Sequence, residues 1–501
     1  MVYANPVLPG FYPDPSVCRV GEDYYLVTST MAYSPGVPIF HSRDLMHWRQ
    51  IGHCLTRPSQ LALERCASAQ GIYAPTIRHH AGRFYMITTS VPAGGNFYVT
   101  ARDPAGPWSE PVWLGAGGID PSLYFDDDGL VYFTCQSAAG ALQSTLDLET
   151  GKLQAPLRLI WPGTGGSHPE APHLYKINDW YYLMLAEGGT EYGHMETIAR
   201  SASPWGPFEG CPRNPVLTHR SNGPLPIQSV GHADLVQASD GRWWAVCLGV
   251  RPNGYPKCHH LGRETFLVPV VWDAAGWPVF GRDGRVEQEI EAPDWSAQPW
   301  PPESARDDFD APELSLCLNF LRNPRSADWS LTERPGFLRL QGSAVTLDDV
   351  DSPAWVGRRQ QHFDCEAWTA LEFAPQREGD EAGLTVRMNE THHYEIGLVR
   401  QATGVSILVR RRLGSLRVVT ASAPVTATRV LLGVRADKDR YTLGYRLDDG
   451  DEPHWLDTAE TRYLSTEVAG GFTGVYFGMY ATGHGQPCAA PADFDWFEYG
   501  S

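Results

Sequence analysis

At 501 residues the chain has room for two to four domains of roughly 100–200 residues each. A hydrophobic share of 42% supports buried cores and argues against global disorder. The formal charge of −18, with no Lys/Arg block, argues against nucleic acid or an anionic membrane as the partner.

The first residues, MVYANPVLPGFYPDP, carry no apolar stretch of the kind that opens a secretory leader, so a cytoplasmic location is expected. No run of 18 apolar residues follows, and no transmembrane helix is expected. The ten cysteines are scattered without a CxxC pair, a pattern of reduced thiols rather than a disulfide scaffold or a zinc site. Nothing in the sequence argues against a homo-oligomer.

Five segments then repeat one pattern: DPSVCRVGEDYYLVTS from Asp14, APTIRHHAGRFYMITT from Ala74, DPSLYFDDDGLVYFTC from Asp120, APHLYKINDWYYLMLA from Ala171 and ADLVQASDGRWWAVCL from Ala233. Each opens on a polar or Pro pair, runs into a strand, turns on Asp or Gly, and presents an aromatic pair about ten residues on. Start-to-start spacings of 60, 46, 51 and 62 residues match one propeller blade apiece. Residues 1–295 are therefore predicted to form a five-bladed β-propeller. Residues 296–306 are Pro-rich and aperiodic, as expected of a linker. Beyond them, 307–501 alternate with period two through YEIGLVR, VSILVRR, VLLGVRA and YTLGYRL, which predicts an antiparallel β-sandwich. The fold class is all-β.

The repeat makes a prediction about acids. The innermost strand of a blade lines the central channel, so equivalent positions of the five copies meet around one axis. Asp14, Asp120 and Glu170, with Tyr73 and His232, should ring one mouth. Three acids in one dehydrated mouth cannot ionise equally; repulsion and burial raise at least one while a nearby cation holds another charged. An acid and a base separated in this way are what glycoside hydrolysis requires. Arg102-Asp103-Pro104 and the Asp126-Asp127-Asp128-Gly129 run fall at turns instead, and the paired histidines point to opposite strand faces.

The motifs NPVLPGFYPDPS, GIYAPTIR, GGIDPSLYFDDDG, PEAPHLYK, AEGGTEYGHMETIARS, GHADLV, LGRETFLVPV and GGFTGVYFGMYATG occur in this order along nearly the whole chain. In this the sequence resembles glycoside hydrolase family 43, in its β-xylosidase and α-L-arabinofuranosidase branch with a concanavalin-like jelly roll at the C-terminus. The resemblance implies an exo-acting, inverting enzyme with Asp14 as general base, Glu170 as general acid, and Asp120 as the residue that orients the acid and tunes its pKa. It implies that Arg263 pairs with acids near the mouth. It implies that His232 lies beneath the sugar, with a structural calcium in the channel nearby, although the chemistry itself needs no cofactor. Phe472 is implied to reach from the second domain and wall the pocket.

Two positions depart from xylosidase relatives: Tyr73 stands where Trp is frequent, and Met31 lies near a frequent Phe. The substrate expected is a xylo-oligosaccharide or arabinose-substituted oligosaccharide, with arabinofuranosidase activity raised against strict xylosidase specificity. A predominantly arabinofuranosidase activity, a propeller enzyme on another furanoside, and a non-catalytic carbohydrate-binding propeller are the alternatives.

Overall fold

The computed structural model describes residues 2–291 and 297–501. The expected boundary between residues 295 and 296 lies outside the described residues.

Each sequence copy contributes the first two strands of a four- or five-stranded antiparallel sheet. Blade one runs Ser16–Val20, Asp23–Val27, Gly36–Ser42 and Arg49–Leu55. Blade two begins at Thr76–His80, blade three at Ser122–Phe125, blade four at Glu170–Ile177 and blade five at Gln228–Gln237. These five opening strands face one another around the axis. In four of the five aromatic pairs burial follows the strand alternation: Tyr24, Phe84, Tyr182 and Trp244 are buried while Tyr25, Tyr85, Tyr181 and Trp243 are only partly covered; in blade three both Tyr132 and Phe133 are buried. Their rings also seal neighbouring blades, as where Tyr25 meets Phe84 edge-on at 4.9 Å between centroids. The ring closes through Val2–Ala4 paired with Glu289–Glu291. Asn5 reinforces the closure, exchanging side-chain hydrogen bonds with the backbone of Leu267 at 2.9 and 3.0 Å.

The described part of the expected linker is tied down. Gln298 N–H donates to Asp44, and the indole of Trp300 donates to the carbonyl of His41 between Arg43 and Arg49. Two eight-stranded antiparallel sheets follow, with one apolar core between them. The regular helix described is a single turn, Thr466–Ala469, apart from two short 3-10 segments.

The two domains share structure rather than merely touching. Tyr33–Ser34, from the loop of blade one, pairs with Leu318–Leu321 and so forms the last strand of a sandwich sheet. Tyr33 stacks on Tyr476 at 4.0 Å, and Trp355 completes a buried aromatic cluster across the seam. Burying side chains of this kind is worth roughly 1.5–3 kcal/mol each. Arg322 and Arg387 meet Glu390 and Ser68 beneath the same seam. This seam carries the sandwich onto the propeller mouth beside blades five and one.

Candidate active site

The acids singled out by the repeat converge at one mouth of the channel. Asp14 and Asp120 stand two residues before the opening strands of their blades, and Glu170 begins the opening strand of blade four. The backbone is left-handed at Asp14, Asp120, Ala171 and His232, with φ of 55°, 51°, 49° and 52°. Such conformations are uncommon outside glycine and cost of the order of 1–3 kcal/mol each. Asp14 and Asp120 take this conformation just before their opening strands, and Ala171 and His232 take it within theirs, at the register shifts between Glu170 and His173 and between Gly231 and Asp234.

Asp14 is buried and clamped. Arg263 Nη1 donates to its Oδ1 at 2.6 Å, and Ser29 Oγ donates to Oδ2 at 2.5 Å. The His232 ring lies 3.8 Å from Oδ1. Burial alone would raise this carboxyl, but Arg263, His232 and Ser29 outweigh it and hold it below the ordinary value. The other two acids move the opposite way. Burial pushes Glu170 up to about 6, with the charge of Asp14 adding to the effect. Burial raises Asp120 well above the ordinary range, followed by the charges of Glu170 and Asp14, against one N–H from Ala171 at 3.3 Å. One pocket thus holds one carboxyl shifted down and two shifted up.

All eight candidates, Asp14, Met31, Tyr73, Asp120, Glu170, His232, Arg263 and Phe472, line a single cavity of about 200 Å³. Phe472 comes from the sandwich and is 41% exposed, with the Arg263 guanidinium 5.7 Å from its ring centre. Two glycines permit this approach: a Cβ on Gly474 would come within 2.3 Å of the Leu261 carbonyl, and one on Gly262 within 2.9 Å of Gly474. Met31 is held from behind by reciprocal backbone hydrogen bonds with Ile72 at 3.0 Å, next to Tyr73.

Sequence reasoning left three contributors without a role. Ser29 bonds Asp14 directly, but it closes the first repeat copy where the others end on Thr89, Cys135, Ala186 and Leu248, so the repeat does not mark it. Thr190 and His194 line the cavity from the AEGGTEYGHMETIARS segment. Burial drives His194 down to about 4, and its Nδ1 faces the carbonyl of Ser229 at 2.9 Å. Its ring lies against Gly231, where any Cβ would come within 2.7 Å.

The donors beneath the pocket do not fit the calcium implied by resemblance. Asp234, the acid deeper in the channel, is already satisfied by Arg78 at 2.8 and 3.1 Å, Tyr175 at 2.6 Å and Ser16 at 2.6 Å. Arg78 also reaches His173, so one guanidinium links the inner strands of blades two, four and five and approaches blade one. His232 is buried and driven below the ordinary histidine value, chiefly by desolvation. Among the described residues no group of three His, Cys, Asp or Glu side chains is arranged to hold a metal. The positive charge on the axis comes from arginine.

Comparison with known proteins agrees with this architecture. Residues 3–278 match glycosyl hydrolases family 43, and residues 306–500 match the beta xylosidase C-terminal concanavalin A-like domain. The chain is 48% identical to a non-reducing end α-L-arabinofuranosidase of Bacteroides ovatus, over 99% of this chain and 94% of that protein. It is 41% identical to a xylosidase/arabinosidase of Butyrivibrio fibrisolvens, over 99% of both. A solved xylan β-1,4-xylosidase from Bacillus halodurans superposes with a TM-score of 0.95 at 37% identity, covering both chains fully. The chain belongs to glycosyl hydrolase family 43 as a glycoside hydrolase.

Proposed function

We propose that the protein is an exo-acting, inverting hydrolase that removes terminal D-xylose or L-arabinofuranose from hemicellulose oligosaccharides. The observation that carries this reading is the meeting of Asp14, clamped by Arg263, with Asp120 and Glu170 in one small pocket, where the first carboxyl is shifted down and Glu170 up. In the reaction Asp14 takes a proton from water, and that water attacks the anomeric carbon from the face opposite the leaving group. Glu170 gives its proton to the glycosidic oxygen as the bond breaks. Inverting enzymes keep acid and base roughly 6.5–9.5 Å apart to leave room for the water. Asp120 takes the N–H of the residue after Glu170 and thereby orients the acid. Arg263 keeps Asp14 charged and lines the same cavity.

Exo action follows from size. About 200 Å³ lies below the range of roughly 300–1,000 Å³ typical of drug-sized ligands, and Phe472 walls one side. One terminal sugar fits that space. Tyr73 and Met31 as walls, with relatives named both arabinofuranosidase and xylosidase/arabinosidase, support dual activity weighted towards arabinofuranose. The chemistry needs two carboxylates and no Lewis acid.

The test is direct. Proton NMR of the earliest product should show inverted anomeric configuration. Release of 4-nitrophenol should be measured from the β-D-xyloside and the α-L-arabinofuranoside in parallel. Retained configuration, or activity on neither substrate, would overturn the reading.

A further inference from the structure

Another carboxylate, outside the pocket's three acids, has no part in the scheme above. Glu187 ends the strand Trp180–Glu187 and is completely buried. Its Oε1 accepts from Thr164 N–H at 2.8 Å and from Thr197 Oγ1 at 2.6 Å. Its Oε2 accepts from Gly166 N–H at 2.7 Å, and Thr164 Oγ1 lies 3.2 Å from both oxygens. A buried carboxylate is costly unless hydrogen-bonded, and here N–H and hydroxyl groups meet that need.

What the carboxylate holds is the approach to the general acid. The segment 162–168, Pro-Gly-Thr-Gly-Gly-Ser-His, leads through Pro169 into Glu170. It contains no large apolar side chain, so packing alone cannot locate it. The fit to Glu187 is close: a Cβ on Gly163 would come within 2.7 Å of its Oε1, and one on Gly166 within 2.8 Å of its Oε2. On the other side, Gly188 N–H donates to the carbonyl of Ser167 at 2.7 Å. That bond ties the segment to the turn carrying Thr190, which lines the pocket and lies 3.4 Å from Arg263. Glu170 itself pairs with Ala186, the residue before Glu187. One buried carboxylate therefore braces both chain segments that flank the acid.

We propose that Glu187 is a positioning residue that sets the placement of Glu170 against the leaving-group oxygen. This rests on Glu170 being the general acid. Glu187 touches no substrate. Its loss should therefore appear where protonation of the leaving group limits the rate, and fade where it does not.

The experiment compares Glu187→Gln with wild type on xylobiose or an arabino-oligosaccharide, and on the matching 4-nitrophenyl glycoside. In the glutamine variant an amide NH₂ replaces one acceptor oxygen, so Thr164 or Gly166 loses its acceptor. Misplacement of a reacting group by about 1 Å can cost on the order of 100-fold. We expect kcat/KM on the oligosaccharide to fall by about 10–100-fold, with a fall under about 3-fold on the activated glycoside. The alkaline limb of the oligosaccharide pH profile should also move. Equal losses on both substrates with an unmoved limb would mark Glu187 as merely structural, and wild-type kinetics on both would end the idea. Thr197→Val, which deletes a single hydroxyl with little change in volume, makes the same comparison if Glu187→Gln fails to fold. A Glu170→Ala control separates the two claims. If that variant keeps oligosaccharide activity, the assignment of the acid fails; if it loses activity while the Glu187 ratio stays flat, only the positioning role fails.

Discussion

Arg263 and Asp14 lie 249 positions apart in the chain and meet at 2.6 Å, so the closing blade supplies the cation that keeps the first blade's acid charged. Replacing Arg263 with Met should let burial dominate at Asp14 and raise its pKa. Because a general base must be deprotonated, the acidic limb of kcat/KM should move to higher pH. Activity at mildly acidic pH should fall more than activity at neutral pH. An unmoved acidic limb in an active variant would show that the arginine does not tune Asp14.

Glu170, raised to about 6, sets the opposite limb. A general acid acts in its protonated form, so kcat/KM on oligosaccharides should decline as pH rises through about 6. On 4-nitrophenyl glycosides the decline should be shallower, since that leaving group needs little protonation. Two superimposable profiles would contradict the assignment.

Asp120 and Glu170 share a cost at neutral pH. Their carboxyls are raised in the folded protein, so the folded state binds those protons more tightly than the unfolded chain does. Their contribution to stability grows as pH falls towards the unfolded value and is unfavourable at pH 7. Asp120→Asn should therefore raise Tm at pH 7 while lowering kcat by about 10²-fold or more, a gain that shrinks when both proteins are melted at pH 4.5. A lower Tm for the variant at pH 7 would show that burial and repulsion do not govern the stability of this pocket.

Phe472 is a wall rather than core. Phe472→Ala should raise KM and lower kcat/KM on oligosaccharides, with far less destabilisation than the roughly 3–5 kcal/mol of a truncated core Phe. Parallel melting and kinetics decide it. A large fall in Tm with normal kinetics would place the ring in the fold instead of the pocket.

Arginine on the channel axis predicts indifference to chelation. EDTA should leave both activity and Tm unchanged, whereas Arg78→Met strands Asp234 in the interior and should cost about 3–5 kcal/mol. The Asp234 carboxyl is held well below the ordinary range, with Arg78 the leading influence against burial. That pair therefore stabilises fully above the unfolded carboxylate pKa and loses its contribution as pH falls further. Acid melts of wild type should show the loss, and melts of Arg78→Met should lack that part of it.

The propeller and the set of three acids were legible in the sequence because a repeat converts linear spacing into rotational position. Five copies in register require equivalent residues to meet on one axis, so Asp14, Asp120 and Glu170 could be brought together without any contact being seen. Period-two alternation exposed the sandwich in the same local way. Other features depend on segments far apart in the chain, which no spacing encodes. The strand Tyr33–Ser34 joins a sheet whose partner begins at Leu318, and Phe472 reaches Arg263 because two glycines let the backbones touch. The charge on the axis is decided likewise. Arg78 of blade two crosses the channel to Asp234 of blade five and satisfies that carboxylate. Protonation is the last of these, since burial and neighbouring charge set it together. The sequence determined which acids face one another, and the tertiary structure decided which of them stays charged.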